Sequence, residues 1–393
     1  MELKLDTSIP YALALEGGGA KGAHQIGAWR ALKEAGVHIA AVSGTSVGAI
    51  NGALIAMNCY EKAEALWESI SYSQIMDVDD EMMEQLMRGS LRGMDLKNAA
   101  AQLAGVVKNR GFDISPLENL LTRTIDEDAI RSSAIEFFIV TCALGSFKEL
   151  ELRAKELEGD GAIVDMLIAS AYLPVFRNEK LGGKRYADGG LRDVLPLHVL
   201  IENGYQNIIA LRLFGFGVER PTRIPRSVSV HTVTPSVDIG STLEFDAMRS
   251  RRNMLAGYYD AKRMLYGLAG THWYLDSHWS EAQSYRYLLQ LIEPYCAAAG
   301  RPVSLRERNE VVLPQIARLL DVPKTNYRDL VIACLEAAAE TAQLERFHIY
   351  TEDTLVQALH TAGVPLLAPE TAQSALKRPG PFRRLIRTKP QQK

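Results

Sequence analysis

Two glycine-rich turns, each set between a short apolar run and a helical pattern, constrain this chain more than any other feature. The first run, Tyr11–Glu16 (YALALE), opens into Gly17-Gly-Gly-Ala-Lys-Gly22; the second, Ile39–Ser43, opens into Gly44-Thr-Ser-Val-Gly48. A short apolar run bounded by glycines fits a strand buried on both faces. Ala23–Ala35 then reads as a helix, with Ile26, Trp29, Ala31 and Leu32 near helical spacing and Gly36 to stop it. Val47–Met57 and Glu61–Ile70 predict two more helices. Strands alternating with helices imply a mostly parallel sheet covered on both faces.

The pattern continues. Phe137–Leu144 (FFIVTCAL) predicts a central strand that Glu149–Arg153 can join. Ile163–Ala171 predicts a helix, Lys184–Ala187 a strand, Leu197–Asn203 a helix and Ile208–Leu213 a last strand. Residues 74–125 interrupt this order and read as an insertion of short helices and loops. After the Gly/Pro/Arg connector Gly215–Pro225, helical periodicity dominates at about 239–268, 280–299, 306–320, 327–342 and 350–362. The expected fold is α/β: three layers, α/β/α, around a mostly parallel sheet, with a mainly helical C-terminal region. The expected domains are a catalytic domain over 11–213, a helical region over 216–370 and a basic, flexible tail over 371–393.

Composition excludes several classes. With 47% hydrophobic and 23% charged residues, the chain is neither disordered nor collagen-like. A net charge of −3 does not point to nucleic acid. Cys59, Cys142, Cys296 and Cys334 show no metal or disulfide spacing and are expected to be small reduced residues. No secretory run opens the sequence and no stretch of about 18 apolar residues occurs, so a cytoplasmic protein is expected. The exception to the even charge is 371–393, where seven basic residues stand with no acidic one.

The motifs carry the chemistry. The Gly17–Gly22 turn aims backbone N–H groups at the start of a helix, where anything anionic is favoured. It matches G-x-G-x-x-G, but the dinucleotide reading needs an acid at the end of the next strand, and Ser43-Gly-Thr-Ser46 stands there. A phosphate-binding P-loop needs Lys after Gly22 and finds Ala23. Gly44-Thr-Ser-Val-Gly48 is G-x-S-x-G, the pattern that holds a nucleophilic serine, here Ser46, on a sharp strand-to-helix turn. None of the eight histidines sits at an obvious strand end after Ser46, and each reads as a surface or packed residue. The candidate base is Asp188, which follows a predicted strand and precedes Gly189 and Gly190. An Asp-Gly turn is its structural alternative, and Asp193 is the lower-ranked base.

Together, G-G-G-x-K-G, G-T-S-x-G-A and D-G-G, in this order near the N-terminus, resemble the patatin-like phospholipases over about residues 11–213. The resemblance implies a carboxylic ester hydrolase that acts on fatty acyl esters of phospholipids or lysophospholipids through a Ser-Asp dyad, Ser46 the nucleophile and Asp188 the proton acceptor. It implies an oxyanion hole at Gly17, Gly18 and Gly19, with Lys21 in the place of the family's basic residue. Gly22, Gly44, Gly48, Gly189 and Gly190 fill the remaining motif positions. No metal and no organic cofactor are implied. The expected partner is lipid at a membrane surface, with a peripheral seat on the inner membrane face as one location. An acyltransferase or thioesterase using the same acyl-serine, or a non-catalytic lipid-binding module, are the alternatives. Met76, Met82, Met83 and Met87 of the insertion are either acyl-chain contacts or core. The C-terminal tyrosines and tryptophans, Trp273, Tyr274 and Trp279 among them, are expected mainly in packing. The basic tail suits anionic headgroups.

Overall fold

A computed structural model describes residues 1–87, 111–322 and 326–376. The chain forms two compact units, Met1–Gly267 and Leu268–Lys393. No helix among the described residues is long and apolar enough to cross a membrane.

In the first unit the main sheet runs β4-β3-β2-β1-β6-β7, formed by β1 (Tyr11–Leu15), β2 (Ile39–Thr45), β3 (Glu136–Ala143), β4 (Lys148–Arg153), β6 (Asn207–Leu211) and β7 (Ser229–Val233). The two-residue β5 (Tyr186–Ala187) pairs with β3. The pairs β1–β2, β1–β6, β2–β3 and β6–β7 are parallel; β4 and β5 run antiparallel to β3. All five residues of β1 are buried, as covered parallel strands require. Helices α1 (Ala23–Glu34), α2 (Val47–Ala56), α3 (Tyr60–Glu68), α4 (Asp80–Met87), α5 (Ser115–Thr124), α6 (Glu127–Ser132), α7 (Ala162–Ser170) and α8 (Leu197–Glu202) complete the layers. Strand and helix ends fall within one or two residues of the sequence expectation through α3. The expected pairing of Glu149–Arg153 with the central strand is present as β4 against β3.

The compact unit does not end at the boundary expected near 213. The first unit runs on to Gly267 and takes in β7 and the long helix α9 (Ala247–Tyr266). The helical pattern at 239–268 therefore belongs to this unit rather than to the C-terminal region. It starts only at Ala247, where the Asp246 side chain caps the helix by accepting the Arg249 N–H at 2.6 Å. Helix α9 lies against α1 with backbones in contact. A methyl on Gly27 would run into the Met254 carbonyl, and one on Gly257 into the His24 carbonyl. Beneath this crossing His24 Nε2 meets Asp260 Oδ2 at 3.0 Å, both fully buried. Burial alone would raise the Asp260 carboxyl. The bond to His24 and the Ser236 N–H outweigh it and hold the pKa below the usual carboxylate value.

Among the described residues the insertion includes α4 and α5, and the 3₁₀ turn Tyr72–Gln74 leads into it. Met76 and Met83 are buried in the main core, so these two are core rather than an acyl surface.

The second unit is mainly helical. It holds α10 (Glu281–Ala297), α11 (Leu305–Glu307), α12 (Leu313–Leu319), α13 (Tyr327–Thr341), α14 (Glu352–Ala362) and α15 (Pro369–Leu376), with a two-stranded parallel ribbon of β8 (Tyr274–Leu275) and β9 (Ile349–Tyr350). The ribbon is too short to leave a period in the sequence. Its core includes Trp273, Leu288, Ile292, Leu335 and Leu355. Helix α15 takes in residues 371–376 of the expected tail; the rest of that tail lies outside the described residues.

Candidate active site

One edge of β3 sets the site. Strand β2 pairs with β3 up to Thr45 opposite Val140. Beyond that point β5 takes over, approaching from the other direction, with Ala187 opposite Cys142. Two chain ends therefore face each other along one strand edge: Ser46 follows β2 and Asp188 follows β5. The sequence motifs point to both residues, and the topology brings them together.

Ser46 stands between β2 and the first residue of α2 with φ 56° and ψ −127°, a backbone conformation that L-residues seldom adopt. Its N–H donates to Ser170 Oγ at 2.8 Å, and Ser170 Oγ in turn donates to the Val140 carbonyl at 2.6 Å. Ser170 escapes a reading of the sequence, because a serine at the end of an apolar helix carries no signal of its own. The Ser46 residue is buried, and its carbonyl receives the Ala49 N–H of α2.

Asp188 is buried as well. Its Oδ1 accepts the Gly190 N–H at 2.8 Å, while Oδ2 has no hydrogen-bond partner among the described residues. Burial pushes its pKa up to about 6, against the opposing influence of the Ser46 hydroxyl and the Gly190 N–H. The carboxylate is thus ionised at neutral pH but holds a proton far more readily than an exposed aspartate.

The glycine turn differs from expectation at two positions. The Gly17 N–H is engaged by the Val194 carbonyl at 2.9 Å and is not free to bind an oxyanion. Lys21 Nζ donates to the Phe214 carbonyl at 3.0 Å, so it braces the neighbouring loop. Gly18 and Gly19 keep their N–H groups without a partner among the described residues. Gly19 sits at φ 57°, and a methyl there would strike the Thr242 carbonyl. Only glycine fits that position.

Beneath the turn lies a residue that reads in the sequence as no more than the end of a strand. Glu16 is buried, and its carboxylate accepts from Arg212 Nε at 2.9 Å, Leu213 N at 2.8 Å and Gly215 N at 3.1 Å. It ties the glycine turn to the segment after β6. Glu16→Gln keeps the shape but weakens three charge-assisted bonds, and a loss of about 1–2 kcal/mol in denaturant unfolding is expected.

Asp193 does not share the site. Its Oδ1 takes the N–H groups of Leu195 and Arg220, both at 3.2 Å, and its Oδ2 lies 2.8 Å from His198 Nδ1. His198 Nε2 faces Glu151 at 3.0 Å and Glu149 at 3.1 Å. Burial alone would lower the His198 pKa; the acidic neighbours outweigh it and raise it. Glu149, Glu151 and His198 bring ligand atoms within 4.8 Å of one another. Arg220 already lies 3.1 Å from the Glu149 carboxylate, and the group is an ion-pair network.

A narrow apolar cleft of about 50 Å³ opens onto Ser46 and Gly19. Its walls include Ile50 of α2, Leu117 and Leu121 of α5, Leu173, Phe176 and Phe245. Among the described residues the insertion contributes Ile75, Leu117, Leu120 and Leu121 to the cleft. The wall residues are scattered along the chain from Ile50 to Phe245, and no local motif marks them.

Residues 13–201 match the family model "Patatin-like phospholipase". Patatin-like phospholipase domain-containing protein 7 of Rattus norvegicus is 28% identical over 209 residues, 52% of this chain and 14% of that protein. Domain-containing protein 6 of Homo sapiens is 26% identical over 257 residues, 64% of this chain and 15% of that one. The chain thus spans about one seventh of the length of these relatives. Among solved structures, VipD from Legionella pneumophila is 14% identical with a TM-score of 0.39, covering 93% of this chain and 90% of that one.

Proposed function

We propose that this chain, whose residues 13–201 belong to the patatin-like phospholipase family, hydrolyses fatty acyl esters of phospholipids through a Ser46–Asp188 dyad. The observation that carries this reading is a serine on a strained strand-to-helix turn, facing a buried carboxylate at the mouth of an apolar cleft.

The steps follow from the groups present. Ser46 Oγ attacks the ester carbonyl carbon as its proton passes to Asp188. The carbonyl oxygen becomes an oxyanion, and the free N–H groups of Gly18 and Gly19 receive it at the start of a helix. The tetrahedral intermediate collapses, the C–O bond to the leaving alcohol breaks, and Asp188 returns its proton to that alkoxide. Water then gives a proton to Asp188 and attacks the acyl-serine. Fatty acid leaves and Ser46 regains its proton. The apolar cleft holds the acyl chain and excludes bulk water from the reacting carbonyl.

The test is fatty-acid release from glycerophospholipid vesicles, with turnover of a p-nitrophenyl ester in parallel. Wild type is expected to release fatty acid. Ser46→Ala is expected to lose at least about 1,000-fold in kcat with its fold intact by circular dichroism, since removing a nucleophile leaves only binding and the oxyanion donors. Retained turnover in Ser46→Ala overturns the reading.

A further inference from the structure

The segment after β6 packs its backbone onto both catalytic turns and turns its side chains outward. The Val218 N–H donates to the Gly190 carbonyl at 2.8 Å, and the Val194 N–H to the Val218 carbonyl at 2.8 Å. At the other turn, Lys21 and Glu16 hold the backbone of Phe214 and Gly215. The side chains find no such packing. Phe216 is 89% exposed, Phe214 58%, Val218 54% and Ile224 48%. Singly, an exposed apolar residue means little; four within eleven residues, on a segment whose backbone is tied to both catalytic turns, form a patch that water disfavours.

Phe214 adds a second observation. Its φ is 48°, a region where a bulky residue is an outlier. The strain is kept although, among the described residues, the ring has only the Arg212 guanidinium, 5.4 Å from its centroid, as a ring contact. Strain held without a packing return points to a use outside the fold.

Charge narrows the occupant. Between 214 and 227 the one acidic residue is Glu219, which Arg212 neutralises at 2.6 Å. Arg220 is occupied by Glu149. Arg223 and Arg226 are exposed and have no ion-pair partner among the described residues, and Arg192, beside the Asp188 turn, is likewise exposed and unpaired. Aromatic side chains for the acyl boundary, ringed by unpaired arginines for the headgroups, match an anionic bilayer surface.

We infer that the loop 214–226 is the lipid-docking surface of the catalytic unit: Phe214 and Phe216 enter the headgroup region of an anionic membrane, Arg223 and Arg226 contact its phosphates, and the cleft opens toward the bilayer. The inference rests on the proposed lipid substrate, but its test does not require turnover.

Vesicle binding is measured by cosedimentation in the full-length Ser46→Ala background, so that nothing is consumed, with phosphatidylcholine vesicles with and without phosphatidylglycerol. The catalytically intact versions are assayed on a p-nitrophenyl ester free in solution. The Phe214→Ser/Phe216→Ser variant is expected to lose at least about tenfold in partition on both vesicles. Arg223→Gln/Arg226→Gln is expected to lose about fivefold per arginine on phosphatidylglycerol vesicles only. Both keep wild-type turnover of the free ester. The inference is overturned if the parent does not bind vesicles, if the variants bind as it does, or if the phenylalanine variant instead changes the sedimentation coefficient in the absence of lipid, which assigns the patch to contacts between copies. If no ester is turned over yet binding depends on the loop, the hydrolase reading fails while the docking surface stands.

Discussion

Asp188→Asn is expected to abolish fatty-acid release and, at neutral pH, to make the protein more stable. Asparagine keeps the shape and can still accept the Gly190 N–H through its carbonyl oxygen, but it cannot take the Ser46 proton. A loss of at least about 1,000-fold in kcat follows. The stability gain comes from burial. The carboxyl has a pKa of about 6 in the folded chain, against 3.8 for an ordinary aspartate. At a pH between these values the folded state carries the proton and the unfolded state has lost it, so stability falls as pH rises through that window. The cost at pH 7 is about 3 kcal/mol at most. The variant escapes it. Urea unfolding at pH 7 and pH 4 is expected to separate wild type from Asp188→Asn at the higher pH and bring them together at the lower. Wild-type activity is expected to rise with pH around an apparent pKa of about 6, as the base loses its proton. An equally stable, active asparagine variant rules out Asp188 as the base.

Gly257→Ala is expected to cost about 3 kcal/mol, although it adds a single methyl group to a helix. Alanine normally stabilises a helix interior by up to about 1 kcal/mol over glycine. Here the methyl meets the His24 carbonyl of α1, and backbone cannot rotate away as a side chain can. Either α9 lifts from α1, or His24 and Asp260 lose their 3.0 Å contact beneath the crossing. Gly27→Ala faces the same conflict with the Met254 carbonyl, and the two changes are expected to be non-additive because one separation of the helices relieves both. Gly36→Ala is the control. Gly36 has φ 75° with nothing near the added methyl, and about 1 kcal/mol is expected there. Guanidinium unfolding of the three variants checks this; a Gly257 variant no less stable than the Gly36 variant refutes the close crossing.

These cases show what a linear sequence carries. Ser46, Asp188 and the glycine turns are legible because each sits where a strand ends, and strand ends announce themselves by apolar runs stopping at glycine. The periodicity of 247–266 announces a helix but not its neighbour; the small residues Ala256, Gly257 and Ala261 on its buried side are the available sign of a close partner. Strand β7, with only Val233 buried, lacks the apolar run that marks β1, β3 and β6. Glu16 is hidden because a buried carboxylate at the end of a strand looks like the first polar residue of a turn. The fate of the Gly17 N–H depends on Val194, far along the chain. The cleft is assembled from α2, α3, α5 and single residues as distant as Phe245, and no window of sequence contains it.

The shared edge of β3 has a consequence for how such a site can change. The separation of nucleophile and base is written in the number of residues between Val140 and Cys142, so β3 works as a ruler for the reaction. One residue added there would displace the β5 end by about 3.3 Å, more than a proton transfer tolerates, and turn its side chains to the other face. The cleft wall at Leu117–Leu121 and the exposed loop at 214–226 hang from other elements and carry no such measure. Substrate range and surface preference are therefore free to drift while the chemistry stays at a fixed length.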